Sequence, residues 1–528
     1  MGKKRRKTSF STYRKGDQPA KKQKTVPKAG EEGYKTPTQL RNERKRRAKK
    51  MKSSLSSSQA GAPAAVSSSF CHDDPSLAYL SNPQKAPVVQ QAIAFFKQYH
   101  RLNLPIVLGP ATGWRTVAKL AVRRSKPVTN VKRGELTIGL FQKKTHNVIP
   151  GETSPCHHPS INQAITLVQS AARRFQVEPF DETTGAGDLR YVSFHVNRQM
   201  WRVQVTLVWS PVEVDDKDAK REDGKASSGR TKERRRQDKR LKKLCQYLES
   251  CTETIKGSNS GTGTSSSPRL FQSLWVHYNT SSKHDNAIFA RDGRWECRFG
   301  PLHVEEFLTK ASKIPLYFSP RVFRQANLGA FSTIVIRVQT FLQGQLRRSK
   351  VRSTGSTEEK KLPSKNESRP RCLELYGGVG TIGLHITCLC QSLVCSDENP
   401  FNKECFEKSR TALLKSDQQG GCQQIEYRTQ SATAMIQAGA LDAADWVIVD
   451  PPRKGLDDEV LAALCREPSN LKNGPHVLVY VSCGFSAFQR DCQALVTDGG
   501  WNLDTAEGHI LFPGSDAIET LAFFTRYN

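Results

Sequence analysis

The feature that most constrains this chain is a rhythm in its C-terminal part. Four short apolar runs, CLELYGG, QSLVCSDE, DWVIVDPP and HVLVYVSCG, each end in turn chemistry and are followed by helix-compatible sequence. Apolar runs of roughly four to eight residues bounded by turn residues read as buried strands, and strands alternating with helices build a parallel sheet covered on both faces. The expectation is a doubly wound α/β domain over residues 314–528, with ligands meeting the carboxyl ends of its strands. Ser319-Pro320 stands as a helix start ahead of the apolar periodicity in RVFRQANLGAFSTIVIRVQTFL.

Residues 81–313 read as a β-rich α+β region. VVQQAIAFFKQYH has helical spacing, and RTVAKLAVRR, GELTIGLFQKKTHNVI, RYVSFHVNRQ and MWRVQVTLVWS alternate as strands. Residues 214–243 read as a charged loop inserted before the helix-like LKKLCQYLESC. After a Ser/Gly linker over 257–267, strand patterning resumes in SLWVHYN, NAIFARDG and WECRFG. Residues 1–80 are Lys/Arg blocks and a Ser-rich stretch with little to bury, and are expected to be a disordered tail.

Charge sharpens this division. The whole chain of 528 residues has a formal charge of +31. Residues 1–52 hold 20 Lys and Arg against 4 Asp and Glu; 217–243 hold 13 against 5, and the basic insertion at 342–371 holds 9 against 3. The remainder is nearly neutral, so attraction to polyanions belongs to the appendages. The N-terminal basic clusters read as a nuclear or nucleolar address, with the cytoplasm as the alternative. MGKKRRKTSF lacks the apolar core of a signal peptide, Arg6 breaks a myristoylation signal, and no run is long enough for a membrane helix. None of the 14 cysteines forms a C-x-x-C, so they read as reduced thiols.

Candidate chemistry sits at the strand ends. Gly377, Gly378 and Gly380 follow the first strand, where a backbone must turn sharply beside a ligand. Asp397, at the tip of the next strand, suits the ribose hydroxyls of a nucleoside cofactor. Asp450 ends a third strand before the rigid Pro451-Pro452 pair. Cys483 ends a fourth; it is a candidate nucleophile, although a lone cysteine there is also compatible with a packed thiol. Glu519, before the last apolar strand, is either a general base or a surface carboxylate. CHHP at 156–159 looks like a metal tripod, but adjacent histidines on a strand point apart, so it reads as structural.

Taken in order and spacing, FRQAN, LELYGGVGTIGL, VDPPRKGLD, YVSC with Arg490-Asp491, and FP-x4-IET resemble the RNA uridine C5-methyltransferase family. GWRTVAKLAV, LTIGLFQKKTHNVI and CHHPSINQAI resemble its substrate-side region. The resemblance implies a Rossmann-like, S-adenosylmethionine-dependent methyltransferase domain acting on structured RNA, tRNA before rRNA, to make 5-methyluridine. It implies cofactor contacts from Gln325, Tyr376, Thr381, Asp397 and Asp450, a nucleophile in Cys483 and a base in Glu519. No metal or iron–sulfur cluster is expected, and a monomer is the default. The chain departs from the family at Gly484-Phe485 and Ala487 after the cysteine, where Asn-Pro and Thr are usual, and at Gly514 and Ala517, where histidines are usual. The alternatives are an RNA-binding or chaperone protein with a degenerate site, and an RNA cytosine C5-methyltransferase.

Overall fold

The computed structural model describes residues 74–99, 103–125, 135–143, 145–212, 229–251, 269–281, 287–354, 369–416, 422–466 and 474–526. Nearly all of the basic tail, the linker at 257–267 and parts of both basic insertions lie outside the described residues.

Seventeen strands are present among the described residues. A short β1 (Ile106–Leu108) precedes β2 (Val117–Arg124), β3 (Leu136–Phe141), β4 (Val148–Pro150), β5 (Leu189–Val196), β6 (Val203–Trp209), β7 (Phe271–Tyr278) and β8 (Arg294–Phe299). Strands β2 to β8 form one sheet in the order β4-β3-β2-β5-β6-β7-β8, antiparallel except for β6 against β7. Helices Pro159–Arg174 and Gly229–Ser250 pack on it in one core, and Tyr191 and Val208 pack separately with Phe141, Val148, Ile288 and Phe289, so β5 and β6 are buried along their whole length.

The charged insertion at 214–243 is therefore not simply a loop. From Gly229 onward it is helix, because Leu241, Leu244 and Leu248 form a buried stripe. Arg240 grips the sheet through a two-pronged ion pair with Asp188, at 2.7 and 2.8 Å. NAIFARDG departs from the strand expectation: its described residues are turn and bend, and β8 begins only at Arg294.

A hairpin of β9 (Val304–Phe307) and β10 (Pro315–Phe318) leads into the second sheet. That sheet contains β11 (Arg371–Leu375), β12 (Ser392–Ser396), β13 (Gln424–Arg428), β14 (Trp446–Val449), β15 (Val477–Ser482), β16 (Asn502–Ile510) and β17 (Glu519–Thr525). Its order is β1-β16-β17-β15-β14-β11-β12-β13. It is the expected Rossmann-like α/β fold, with one reversal: β17 runs antiparallel to both neighbours.

Three further differences have local causes. The helix after FRQAN starts at Leu328, not at Ser319-Pro320, because Asn327 accepts the Ala330 N–H at 3.0 Å and caps it there. It then runs through the start of the basic insertion to Thr354, since Leu342 and Leu346, four residues apart, remain buried. Finally, the sheet reaches back across the proposed boundary at 314. Strand β1 pairs with β16, and helix Pro87–Tyr99 packs Phe95 and Phe96 on Phe485 and Phe488.

Candidate active site

Strand β11 delivers the glycine turn. Tyr376, Gly378 and Gly380 all have left-handed backbone, with φ of +57°, +56° and +76°. For a bulky tyrosine this conformation is costly and persists only where surroundings enforce it. Here the Tyr376 hydroxyl donates to Asp457 Oδ2 at 2.9 Å and accepts the Asp457 N–H at 3.3 Å. Gly377 has no alternative: a Cβ there would lie 2.5 Å from Cys395 Sγ and 2.9 Å from Glu374 Cδ. Beside the turn, Asp397 accepts the Gly378 N–H at 3.1 Å and the Asn399 N–H at 2.9 Å.

Beneath the turn lies Glu374, whose role the sequence reading missed. It is buried and accepts the Gly383 N–H at 3.0 Å, and burial pushes its carboxyl up to about 7. The apolar run of β11 was the available signal, since an acid two residues before the turn interrupts a strand expected to be buried on both faces.

Asp450 ends β14 and is pushed up to about 7 by burial and by the neighbouring Glu374 and Asp397. The loop that follows is held from below by the fully buried Asp491. Its Oδ2 accepts the Leu456 N–H at 2.9 Å and the Tyr480 hydroxyl at 2.7 Å, while Oδ1 accepts Arg490 Nε at 2.7 Å. In the sequence Asp491 is only half of a dipeptide; apart from Arg490, its partners Tyr480 and Leu456 lie 11 and 35 residues away. Asp491→Ala leaves these donors unsatisfied in the interior and should cost about 3–5 kcal/mol. Denaturant unfolding measures this, and a loss below about 1 kcal/mol would remove Asp491 from the support of the loop.

Cys483 and Glu519 come together through strand pairing. Ser482 on β15 is opposite Thr520 on β17, so the next positions of the ladder, Cys483 and Glu519, face each other at the sheet edge. The half-buried Cys483 thiol is pushed up to about 11, first by burial and then by Glu519 and Asp450, with Arg453 opposing. The buried Glu519 is pushed up to about 8 by burial and Asp450, again with Arg453 opposing. Each carboxyl thus holds a proton near neutrality that it can exchange, which suits acid–base work beside a thiol. On its other side Glu519 pairs with His509, a buried residue on β16 that sequence reading passed over.

Asp397, Asp450, Cys483 and Glu519 therefore form one electrostatically connected edge. Thr381 follows the glycine turn directly, and Gln325 stands in the segment between β10 and the helix that starts at Leu328. Thr381 is half-buried, and its carbonyl lies 2.9 Å from His385 Nδ1. Gln325 is half-buried between two anchors. Before it, the buried Arg324 pairs with Glu306 at 2.9 Å and donates to Val196 O at 2.9 Å. After it, Asn327 Nδ2 donates to Leu511 O at 2.8 Å. FRQAN thus ties the sheet that holds β5 to the end of β16, ahead of Glu519.

The departures at 484, 485 and 514 have structural reasons. A Cβ on Gly484 would stand 2.3 Å from Arg453 O, and Phe485 fills the aromatic cluster with Phe95 and Phe96. A Cβ on Gly514, at φ +101°, would stand 2.3 Å from Ser76 O, and Gly514 O accepts the Tyr79 N–H at 2.8 Å. Segment 74–99 thus occupies the space a side chain at 514 would need and packs its aromatic rings on Phe485. In CHHP, the histidines sit at a helix start rather than on a strand. His157 Nδ1 lies 3.0 Å from Asn162 Oδ1, and His158 Nδ1 accepts the Ser160 N–H at 3.2 Å as the helix cap. Among the described residues no group of three or more side chains is placed to hold a metal ion, and no helix is long and apolar enough to cross a membrane.

No protein-family model matches the chain. It is 31% identical over 442 residues to an uncharacterized RNA methyltransferase of Protochlamydia amoebophila, spanning 83% of this chain and 92% of that protein. An uncharacterized RNA methyltransferase of Listeria innocua is 24% identical over 433 residues, 81% of this chain and 76% of that one. Among solved structures, the tRNA (uracil-54, C5)-methyltransferase of Pyrococcus abyssi, in complex with S-adenosyl-L-homocysteine, aligns with a TM-score of 0.51. It covers 83% of both chains at 18% identity, a likeness of fold. With the first relative matched across nearly its whole length and the motifs gathered on one sheet edge, the chain belongs to the family of RNA methyltransferases that its motifs resemble.

Proposed function

We propose that this protein methylates carbon 5 of a uridine in structured RNA, tRNA ahead of rRNA, with S-adenosylmethionine as the methyl donor. The observation that carries the reading is the facing pair Cys483 and Glu519, set on the same edge as the glycine turn and Asp397. The turn suits a nucleoside cofactor: a Cβ at Gly378 would meet nothing within 4 Å, and a carboxylate at the next strand tip suits ribose hydroxyls. Gln325, Tyr376, Thr381, Asp397 and Asp450 would hold the cofactor, which supplies an electrophilic methyl group when bound.

The rest of the chemistry falls to the chain. Carbon 5 of uracil becomes nucleophilic once the Cys483 sulfur adds to carbon 6 and the ring becomes an enolate. A thiol raised as far as Cys483 must give up its proton as it attacks; ionised Asp450 can receive it, which leaves ionised Glu519 free for the proton that comes off carbon 5. After methylation Glu519 takes the carbon 5 proton, the ring electrons return, and the cysteine leaves. The uridine must leave its stack to meet both groups.

Asp397→Ala should weaken S-adenosylmethionine binding about ten- to hundred-fold, the worth of hydrogen bonds to a charged group; calorimetry showing unchanged affinity would remove Asp397 from the site. A pH effect follows from the raised carboxyl. Glu519 is mostly protonated below about 8, and a protonated carboxyl takes no proton. Turnover should climb from about pH 6 to about pH 8.5 as Glu519 ionises, with the thiolate fraction of Cys483 rising in the same direction. A flat profile would detach both groups from the slow step. The function itself is tested by nucleoside analysis of tRNA and rRNA from cells lacking the protein. Missing 5-methyluridine is the expected result, and full retention in every RNA fraction overturns it.

A further inference from the structure

On the substrate-side sheet, the turn joining β5 to β6 holds an aromatic ring out from the surface. Trp201 is 40% exposed and its neighbour Met200 is 47% exposed, although most large apolar side chains nearby are buried. The Trp201 backbone is left-handed, φ +57°, where a bulky residue is costly and asparagine or glycine is usual. The turn is nevertheless fixed tightly. Asn197 Oδ1 accepts the N–H groups of Gln199 and Met200 at 2.9 and 3.0 Å, and Trp201 donates its own N–H to Asn197 O at 2.7 Å. The Trp201 carbonyl accepts Ser160 Oγ at 2.8 Å. One ring face is already used: His158 stacks on it with centroids 4.5 Å apart and planes 8° apart. His158 is immobile because it caps the helix Pro159–Arg174, and burial lowers its pKa, so the stack is that of a neutral imidazole.

Three observations indicate what the exposed ring meets. A rigid two-ring stack presents a flat π surface at low entropic cost, the form on which unpaired nucleobases are held. Its flank is cationic: Arg202 bonds the carbonyl of the exposed Arg269 at 2.9 Å. The stack is also continuous with the candidate site. His158 N–H donates to Arg115 O at 2.9 Å, and the Arg115 guanidinium lies 4.7 Å over the Trp114 ring and 6.0 Å from that of Phe512, in the loop leading to Glu519. Thr116, the next residue, donates its N–H to Ala326 O at 2.8 Å, beside Gln325.

We propose that the His158–Trp201 stack is a docking platform for an unpaired base of the substrate RNA, adjacent in the chain of contacts to the uridine site. This rests on the RNA methyltransferase reading but not on which atom is methylated. Its content is that one flanking base is held by stacking, independently of sequence, while the target uridine is held elsewhere.

The test titrates the full chain with oligouridylate at salt high enough to suppress binding through the basic segments, following tryptophan fluorescence. In wild type a saturable quench is expected. Trp201→Phe should remove part of that quench and keep the affinity within about two-fold, because a ring remains. Trp201→Ala should weaken binding about ten-fold or more, as loss of one base stack does. His158→Asn keeps a capping oxygen but removes the supporting ring, and should fall between the two. Melting temperatures separate loss of fold from loss of stacking. Equal affinity for folded Trp201→Ala, or an unaltered quench in Trp201→Phe, overturns the platform, as would quenching by a protein ligand and not by RNA. Cys483→Ala runs in parallel with 5-fluorouridine RNA. If it still traps RNA covalently, the uridine mechanism fails while the platform stands; if trapping is lost but the quench does not depend on Trp201, the platform alone fails.

Discussion

Cys483→Ala is expected to abolish methyl transfer, by about 10⁴-fold or more, the scale on which removal of a nucleophile acts. The substitution removes one sulfur atom from a half-buried strand end and leaves Asp450, Glu519 and the glycine turn with their own supports. The loss is therefore chemical, and thermal unfolding and S-adenosylmethionine binding should stay close to wild type. The decisive readout is covalent. RNA carrying 5-fluorouridine can be attacked at carbon 6 and methylated, but fluorine in place of the carbon 5 proton blocks release of the cysteine. Wild-type protein should accumulate a stable protein–RNA species, and Cys483→Ala none. An alanine variant that methylates at the normal rate would sink the mechanism, and one that still traps RNA would move the nucleophile to another thiol.

Glu519→Gln is expected to separate attack from release. Glutamine keeps the shape and packing of a buried side chain but takes no proton, so ordinary uridine RNA should form the methylated adduct and stall there. Steady-state turnover should fall by about 10²–10⁴-fold, the usual span for loss of a general base. A second readout has an independent physical origin. Glu519 is the first charge raising the Cys483 thiol after burial itself, so removing it should lower that pKa and speed alkylation of Cys483 above about pH 8, where Glu519 is ionised. Rapid turnover in Glu519→Gln would exclude its role as base. Unchanged alkylation would contradict the close approach across β15 and β17.

Much of the candidate site was legible because each part is local. A strand end, a glycine turn and an acid at the next strand tip lie within a short stretch, and hydrophobic periodicity places them without knowledge of the rest of the fold. Cys483 and Glu519 were each legible as candidates, yet each stayed ambiguous alone. What brings them together is the reversal of β17, which sets them face to face, and a direction of strand pairing is not written in either strand. Glu374 and Asp491 escaped for a related reason. Their meaning lies in the donors they satisfy, Gly383 for one and Leu456 and Tyr480 for the other.

By itself the sequence determined the α/β class, the strands bearing the chemistry, the separation of charge from the near-neutral body, and the family resemblance, since these depend on local composition and periodicity. Only the tertiary structure decided that helix Pro87–Tyr99 and β1 belong with the C-terminal sheet, that charged stretches continue as helices, and that FRQAN is the tie between two sheets. It also decided that carboxyl groups separated along the chain share one buried edge with a cysteine. The physical reason is that desolvation and charge coupling act through space, so the protonation of Asp450, Cys483 and Glu519 is set by their neighbours in the fold and by burial, which no stretch of sequence contains on its own.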